Sequence, residues 1–156
     1  MIRTFNLEDT NYIINSHYEL YNKEYNYDLS FRDFIAKNME GFIVRADNLK
    51  ERIWILEVDK ERRGSISIKK VNENVAQLGM FLVDPNLRGA GFGNQLVQKA
   101  IHFCRQTNYK TIILWTNNDL KAARHIYENN GFRLIKTRKQ TLSNQELLEE
   151  LWELSI

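Results

Sequence analysis

Residues 75–94, V-A-Q-L-G-M-F-L-V-D-P-N-L-R-G-A-G-F-G-N, set the strongest limit on what this chain can fold into. Three of its 7 glycines (Gly89, Gly91 and Gly93) fall within five residues, directly behind an apolar run of strand length. After them Leu96, Val97, Ala100, Ile101 and Cys104 recur on one helical face, and T-I-I-L-W-T follows as a second short apolar strand. Strand, glycine turn, helix and strand predict a right-handed crossover between parallel strands. Glycines at such a turn leave main-chain N–H groups unobstructed at the positive end of the helix dipole, where an anion, most often a phosphate, belongs. Arg88 opens the run and adds a permanent charge to the same place.

The flanking segments change period. From Asp9 to Tyr25, Ile13, Ile14, His17, Leu20, Tyr21 and Glu24 form a helical stripe, and Phe31, Phe34, Ile35 and Met39 predict a second, short helix after Ser30. The segments R-I-W-I-L-E-V-D, G-S-I-S-I-K-K and V-A-Q-L-G-M-F-L-V then alternate with period two, as three strands of an antiparallel meander. A-A-R-H-I-Y-E-N-N-G-F is helical to Asn130, with Gly131 suited to the left-handed position beyond the helix end. F-R-L-I-K-T and L-W-E-L-S-I close the chain as strands. The expected fold is α/β (α+β): a mixed, mostly antiparallel sheet of six to seven strands with about four helices, in one domain spanning residues 1–156.

Several classes are set aside by composition. A net charge of +2, from 22 basic and 20 acidic residues, predicts no general attraction to nucleic acid or anionic membrane. The K-T-R-K run at 136–139 reads as a solvated strand edge. Cys104 is the only cysteine and the 3 histidines lie far apart, so no metal site is expected. Charges in M-I-R-T-F-N-L-E-D-T stand where a secretory signal needs its apolar segment, and no stretch suits a membrane span, which predicts a cytoplasmic protein. Cys104 lies on an apolar helical face and reads as a packed thiol.

Known anion loops narrow the reading. A P-loop needs G-K-[ST], but Gly93 is followed by Asn94 and Gln95. A dinucleotide fingerprint needs a third glycine that Gly91-Phe92-Gly93-Asn94-Gln95-Leu96 lacks. Arg88-Gly89-Ala90-Gly91-Phe92-Gly93, in contrast, resembles the R-x-x-G-x-G motif of the GNAT N-acetyltransferases. The strand ending in V-x-P that precedes that motif is matched by Phe81-Leu82-Val83-Asp84-Pro85, and the later A-x-x-[IL]-Y-x-x-x-G-F by Ala123, Ile126, Tyr127, Gly131 and Phe132. H-Y-E-L-Y-N-K-E-Y, L-W-T-N-N-D-L-K-A-A-R-H-I-Y-E-N-N-G-F-R-L and L-W-E-L look closest to the acetyltransferase domain that follows MarR-type regulators in bacteria. No winged helix precedes the first helix here, so a free-standing enzyme is expected.

The resemblance implies acetyl-CoA as co-substrate, with direct transfer to a primary amine of a small molecule in a ternary complex. An amino acid or a peptide N-terminus falls within that class. A catalytically weak CoA-binding or regulatory module is the competing function. By the same likeness a splayed central strand pair frees Phe81, Leu82 and Val83 to meet the cofactor through main-chain atoms. Arg88, Gly89, Ala90, Gly91, Phe92, Gly93 and Asn94 would hold the pyrophosphate, with Asn117 either a further cofactor contact or a helix cap. Tyr127 matches the family's general acid. The base is open between Glu24 and Glu57, since Gln77 and Gly79 supply no carboxylate in the strand where many members carry one. His17, Tyr21, Glu24 and Trp54 are candidate acceptor-site residues, with Tyr18, Tyr25 and Tyr27 completing an aromatic wall. A monomer or homodimer is expected.

Overall fold

The structure is a computed structural model that describes residues 1–45, 49–142 and 144–156. The described residues form β1 (Ile2–Thr4), α1 (Thr10–Tyr25), α2 (Leu29–Arg45), β2 (Arg52–Val58), β3 (Glu61–Lys70) and β4 (Val75–Val83), followed by α3 (Phe92–Gln106), β5 (Thr111–Asn117), α4 (Lys121–Asn129), β6 (Arg133–Leu142) and β7 (Gln145–Ser155). Short 3-10 turns at Leu7–Asp9 and Pro85–Leu87 introduce α1 and the glycine run. All seven strands join one sheet in the order β1-β2-β3-β4-β5-β7-β6. Every pair is antiparallel except β4 with β5, the strand pair that the glycine crossover predicts.

Two apolar layers cover the sheet. On one face Leu96, Val97, Ala100, Ile101 and Cys104 of α3 pack on Trp54, Leu56, Ile66, Ile68, Ala76, Leu78, Ile112 and Leu114, with Tyr127 of α4 beside them. On the other, Ile13 of α1 and Phe31, Ile35 and Met39 of α2 pack on Ile53 and Ile55. Burial on both faces explains the unbroken I-W-I-L of β2. Buried Glu150 on β7 takes two hydrogen bonds from Arg124, at 2.7 and 3.1 Å, which ties the helix carrying Tyr127 to the sheet. No described helix is long and apolar enough to cross a membrane.

Four elements depart from the sequence expectations. Strand β1 is too short for a periodicity to register, and Arg3 holds it to buried Asp9 at 2.8 and 2.9 Å. Helix α2 runs on to Arg45 through Gly41, as Phe42 continues its apolar stripe and Arg45 stacks on Phe42 at 5.0 Å. Strands β6 and β7 together make one long hairpin from Arg133 to Ser155, where only its two ends were expected as strands. Its middle is charged and shows no clean alternation, but the charges pair across the strands, Arg138 with Glu149 among them.

Candidate active site

Strands β4 and β5 pair only through Val75–Gln77 and Thr111–Ile113. Beyond those three positions β4 continues to Val83 and β5 to Asn117 without pairing, so the sheet opens into a cleft at its centre. A bulge sharpens the opening. Ser65 faces Leu82 but Ser67 faces Gly79, which leaves an extra residue on β4, and Met80 takes the left-handed φ of 48° that this requires. The Ser65 hydroxyl donates to the Met80 carbonyl at 2.6 Å and holds the bulge. Its effect is to swap faces: Gln77 and Gly79 point towards α1 and α2 before it, and Phe81 and Val83 towards α3 and α4 after it.

One lobe of the cleft, about 340 Å³, lies against the glycine run and the unpaired end of β4. Asp84 accepts from the Asn86 amide and from Arg63, and Pro85 opens the turn that delivers the chain to Arg88. Gly89 and Gly91 both have φ of 85°, and a Cβ on either would meet nothing within 4 Å. Gly93 differs: its Cβ would lie 2.8 Å from Ile126 Cδ1 and 3.3 Å from Phe81 Cζ, so here glycine permits close approach of α3 to α4 and β4. The first intrahelical bond runs from Gln95 N–H to the Gly91 carbonyl at 3.1 Å, and no side chain caps the helix. The N–H groups of Phe92, Gly93 and Asn94, at a helix start that lines the lobe, therefore have no hydrogen-bond partner among the described residues, with the helix dipole behind them. Of the residues expected here, Phe81, Leu82, Val83, Arg88, Gly89, Gly91, Phe92, Gly93 and Asn94 line the lobe, and Ala90 is exposed beside it. This donor set, with the Arg88 guanidinium beside it and no carboxylate among the residues lining the lobe, fits a pyrophosphate.

The second lobe, about 250 Å³, lies between α1, α2 and the splayed strands. Tyr21, Phe81, Leu120 and Ala123 line both lobes and form the passage between them. Tyr127 projects from α4 into the second lobe, with ring centroids 5.9 Å from both Phe81 and Phe132. Burial, and then Tyr21, push its phenol well above the usual tyrosine range, so it keeps its proton throughout the physiological range. His17 also lines this lobe and is 2% exposed, with Nδ1 2.8 Å from the Ile13 carbonyl. Burial brings its pKa down to about 4 against the opposing Ile13 and Met80 backbones, so the ring is neutral near pH 7.

Several expected residues stand elsewhere. Trp54 is 3% exposed on the opposite face of the sheet, edge-on to Phe103 at 5.3 Å, and is a core residue rather than part of the acceptor site. Its place in the β2 run could not be assigned to a face because both faces are covered. Glu57 lines neither lobe; it sits at a β2 bulge, paired with Arg3, and is not placed to serve as the base. Glu24 forms an ion pair with Arg88 at 2.9 Å, beside the glycine lobe. Asn117 does not cap α4, which has no side-chain cap; its Nδ2 donates to Tyr27 Oη at 2.8 Å at the edge of the second lobe. Tyr25 lines the glycine lobe, Tyr27 is buried beneath Asn117, and Tyr18 lines neither. Cys104 is fully buried, and burial raises its thiol to about 12, which rules out a resting thiolate.

Other lining residues were not singled out from sequence. Phe31, Phe34 and Phe42 of α2 and Trp115 of β5 form the aromatic wall, and α2 itself carried the signal in its helical spacing. Lys69 on β3 also lines the second lobe and has no ion-pair or hydrogen-bond partner among the described residues. Asp119, next to Leu120, has a buried Oδ1 without a hydrogen-bond partner, and burial holds its carboxyl above the usual range.

The Acetyltransferase (GNAT) family matches residues 14–132. The chain is 31% identical over 83 residues to the N-acetylaspartate synthetase of Xenopus tropicalis, which covers 53% of this chain and 31% of that protein. It spans less than half the length of three of the four curated relatives it matches. Among solved structures, a GNAT-family acetyltransferase from Staphylococcus aureus superposes with a TM-score of 0.81 at 23% identity, covering 99% of this chain and 98% of that one. A putative acetyltransferase from Salmonella typhimurium, solved with its cofactor acetyl-CoA, superposes with a TM-score of 0.77 at 15% identity over 99% and 92% of the two chains.

Proposed function

The chain belongs to the GNAT acetyltransferase family, and from that premise we propose that it transfers acetyl from acetyl-CoA to a primary amine of a small molecule by direct attack in a ternary complex. One observation carries the reading: the β4–β5 splay joins a donor-lined anion lobe to a separate, aromatic-walled lobe through a passage beside Tyr127. Two reactants can therefore meet from opposite sides with no acyl-enzyme between them.

In this reading the amides of Phe92, Gly93 and Asn94, with Arg88, hold the pyrophosphate. The unpaired main chain of Phe81–Val83 orients the pantetheine arm, and Ala90 and Asn117 flank the two ends of the cleft. Bound acetyl-CoA supplies an activated thioester carbonyl. Tyr127, kept protonated by burial, offers its O–H to the departing sulfur. Glu24 holds Arg88 in position rather than taking the proton itself.

The acceptor reading also has support from the second lobe. Lys69 stands without a partner among the described residues in a wall whose one carboxylate, Glu149, is already held by Arg138, and a carboxylate on the acceptor would satisfy it. That favours an amino acid or a peptide N-terminus, and the N-acetylaspartate synthetase of Xenopus tropicalis, to which the chain is similar, is named for a product of the same class. We further propose kinship with the acetyltransferase domains of MarR-type fusions, supported by the segments quoted above, and a cytoplasmic location. Free-thiol release from acetyl-CoA with a panel of amino acids, arylalkylamines and polyamines tests the proposal. Turnover should be greatest with carboxylate-bearing amines. Tight CoA binding with no thiol release for any amine would instead establish a CoA-binding module.

A further inference from the structure

A neutral imidazole donates from one nitrogen and accepts at the other. His17 Nδ1 lies 2.8 Å from the Ile13 carbonyl, and because a carbonyl can only accept, the ring proton resides on Nδ1. Nε2 is then a bare lone pair: it is fully enclosed, no described residue donates a hydrogen bond to it, and the Met80 backbone beside the ring offers only a carbonyl, which would accept from the ring once Nε2 is protonated. An enclosed polar atom left unpaired is costly, so such an atom in a native fold calls for an explanation. Its surroundings give one. His17 lines the acceptor lobe together with Tyr127, next to Met80 and Phe81, where β4 leaves β5. The other titratable side chains lining that lobe are Tyr21, Lys69, Tyr127 and Glu149; Lys69 is a cation, Glu149 is engaged by Arg138, and burial keeps both phenols protonated.

We propose that His17 Nε2 is the proton acceptor for the incoming amine, a catalytic residue of this chain that takes the place of the carboxylate missing at Gln77 and Gly79. The inference rests on the acetyltransferase reading above. The amine lone pair forms the C–N bond to the acetyl carbon, and the C–S bond breaks with its electron pair on sulfur. One N–H proton passes to Nε2 and the Tyr127 proton passes to sulfur. Solvent then carries the proton from the His17 imidazolium back to the Tyr127 phenolate, which restores both groups. A neutral resting ring suits this role, since its lone pair is available at every pH at which the amine is nucleophilic. The amine N–H becomes strongly acidic only once the C–N bond forms, and a weak base suffices at that moment.

His17→Asn separates this role from a structural one. The Asn amide can keep the donor to the Ile13 carbonyl while Nε2 is deleted. The variant should fold and bind CoA like the parent in calorimetry, and its turnover in the thiol-release assay should fall about 10²- to 10⁴-fold. His17→Ala should regain part of its activity on addition of imidazole, which a purely structural role would not allow. Turnover of His17→Asn within twofold of the parent overturns the proposal, whereas failure of the parent itself to turn over any amine overturns the acetyltransferase reading instead. Independently of turnover, ¹⁵N NMR of the resting protein should report Nδ1 protonated and Nε2 bare; a proton on Nε2 overturns the inference.

Discussion

Gly91→Ala isolates what a single Cβ does at the anion lobe. Gly91 has φ of 85° and ψ of 3°, and a Cβ there meets nothing within 4 Å, so no packing change contributes. What remains is the left-handed backbone, which costs a non-glycine residue about 1–2 kcal/mol. For a chain of this size that corresponds to a melting temperature lower by roughly 2–8 °C. Binding should suffer more. If the turn keeps its shape, the new methyl projects into the space proposed for the pyrophosphate, and if it relaxes, the amides of Phe92 to Asn94 turn away. Either route should weaken CoA binding at least tenfold by titration calorimetry. Gly91→Asn should melt closer to the parent, because asparagine tolerates the left-handed region. Gly93→Ala provides the contrast: its backbone is helical, and the change gains about 1 kcal/mol of helix propensity. It loses about 1–3 kcal/mol to the contact 2.8 Å from Ile126 Cδ1. Adding Ile126→Val, which removes that methyl, should return most of the loss. Equal costs for Ala and Asn at position 91, or unchanged CoA affinity in Gly91→Ala, would refute the assignment of these glycines.

Tyr127→Phe should lower turnover more than about tenfold in the thiol-release assay with CoA affinity unchanged, as removal of one proton donor predicts; equal turnover removes Tyr127 from the chemistry. Lys69→Gln should raise KM for carboxylate-bearing amines by roughly tenfold or more while leaving amines without a carboxylate unaffected, since a charge-assisted bond contributes about 1.5–3 kcal/mol. His17 also links stability to pH. Its folded pKa, about 4, lies below the ordinary 6.5, so its contribution is complete above pH 6.5 and is lost as pH falls towards 4. Between pH 7 and pH 5 the parent should therefore lose about 2 kcal/mol more than His17→Asn, measured by denaturant melts at both pH values. Parallel losses in the two proteins would contradict a buried neutral ring.

The glycine lobe was legible in the sequence because it is local. Phe81 to Asn94 carry its strand end, turn, arginine and helix start in one continuous stretch, and glycine spacing reports backbone conformation directly. The acceptor lobe draws on α1, α2, β3, β4, β5, α4, β6 and β7, and no spacing rule connects those segments. Alternation places residues on one face of a strand or the other without saying which element covers each face, and that left Trp54 on the wrong side. The β4 bulge adds a second break. It reverses the alternation between Gly79 and Phe81, and a residue in the left-handed region at Met80 leaves no mark in the amino-acid pattern. Glu57 and Glu24 had the right chemistry for a base, but each is held by an arginine that only the fold brings near, Arg3 and Arg88.

The same division explains why the base is found on α1. In a sheet that splays at its centre, any proton acceptor must reach the passage from an element that packs over it, and β4 past the bulge directs Phe81 and Val83 to the cofactor side. Its residues facing the acceptor before the bulge are Gln77 and Gly79, which cannot take a proton. Helix α1 lies over that stretch and puts His17 into the gap, with the Ile13 carbonyl one turn earlier fixing its tautomer through the helix's own geometry. A histidine fixed in this way needs no charged partner within the lobe. Lys69 and the aromatic wall are then free to vary with the acceptor while the proton path from amine to Nε2 stays unchanged.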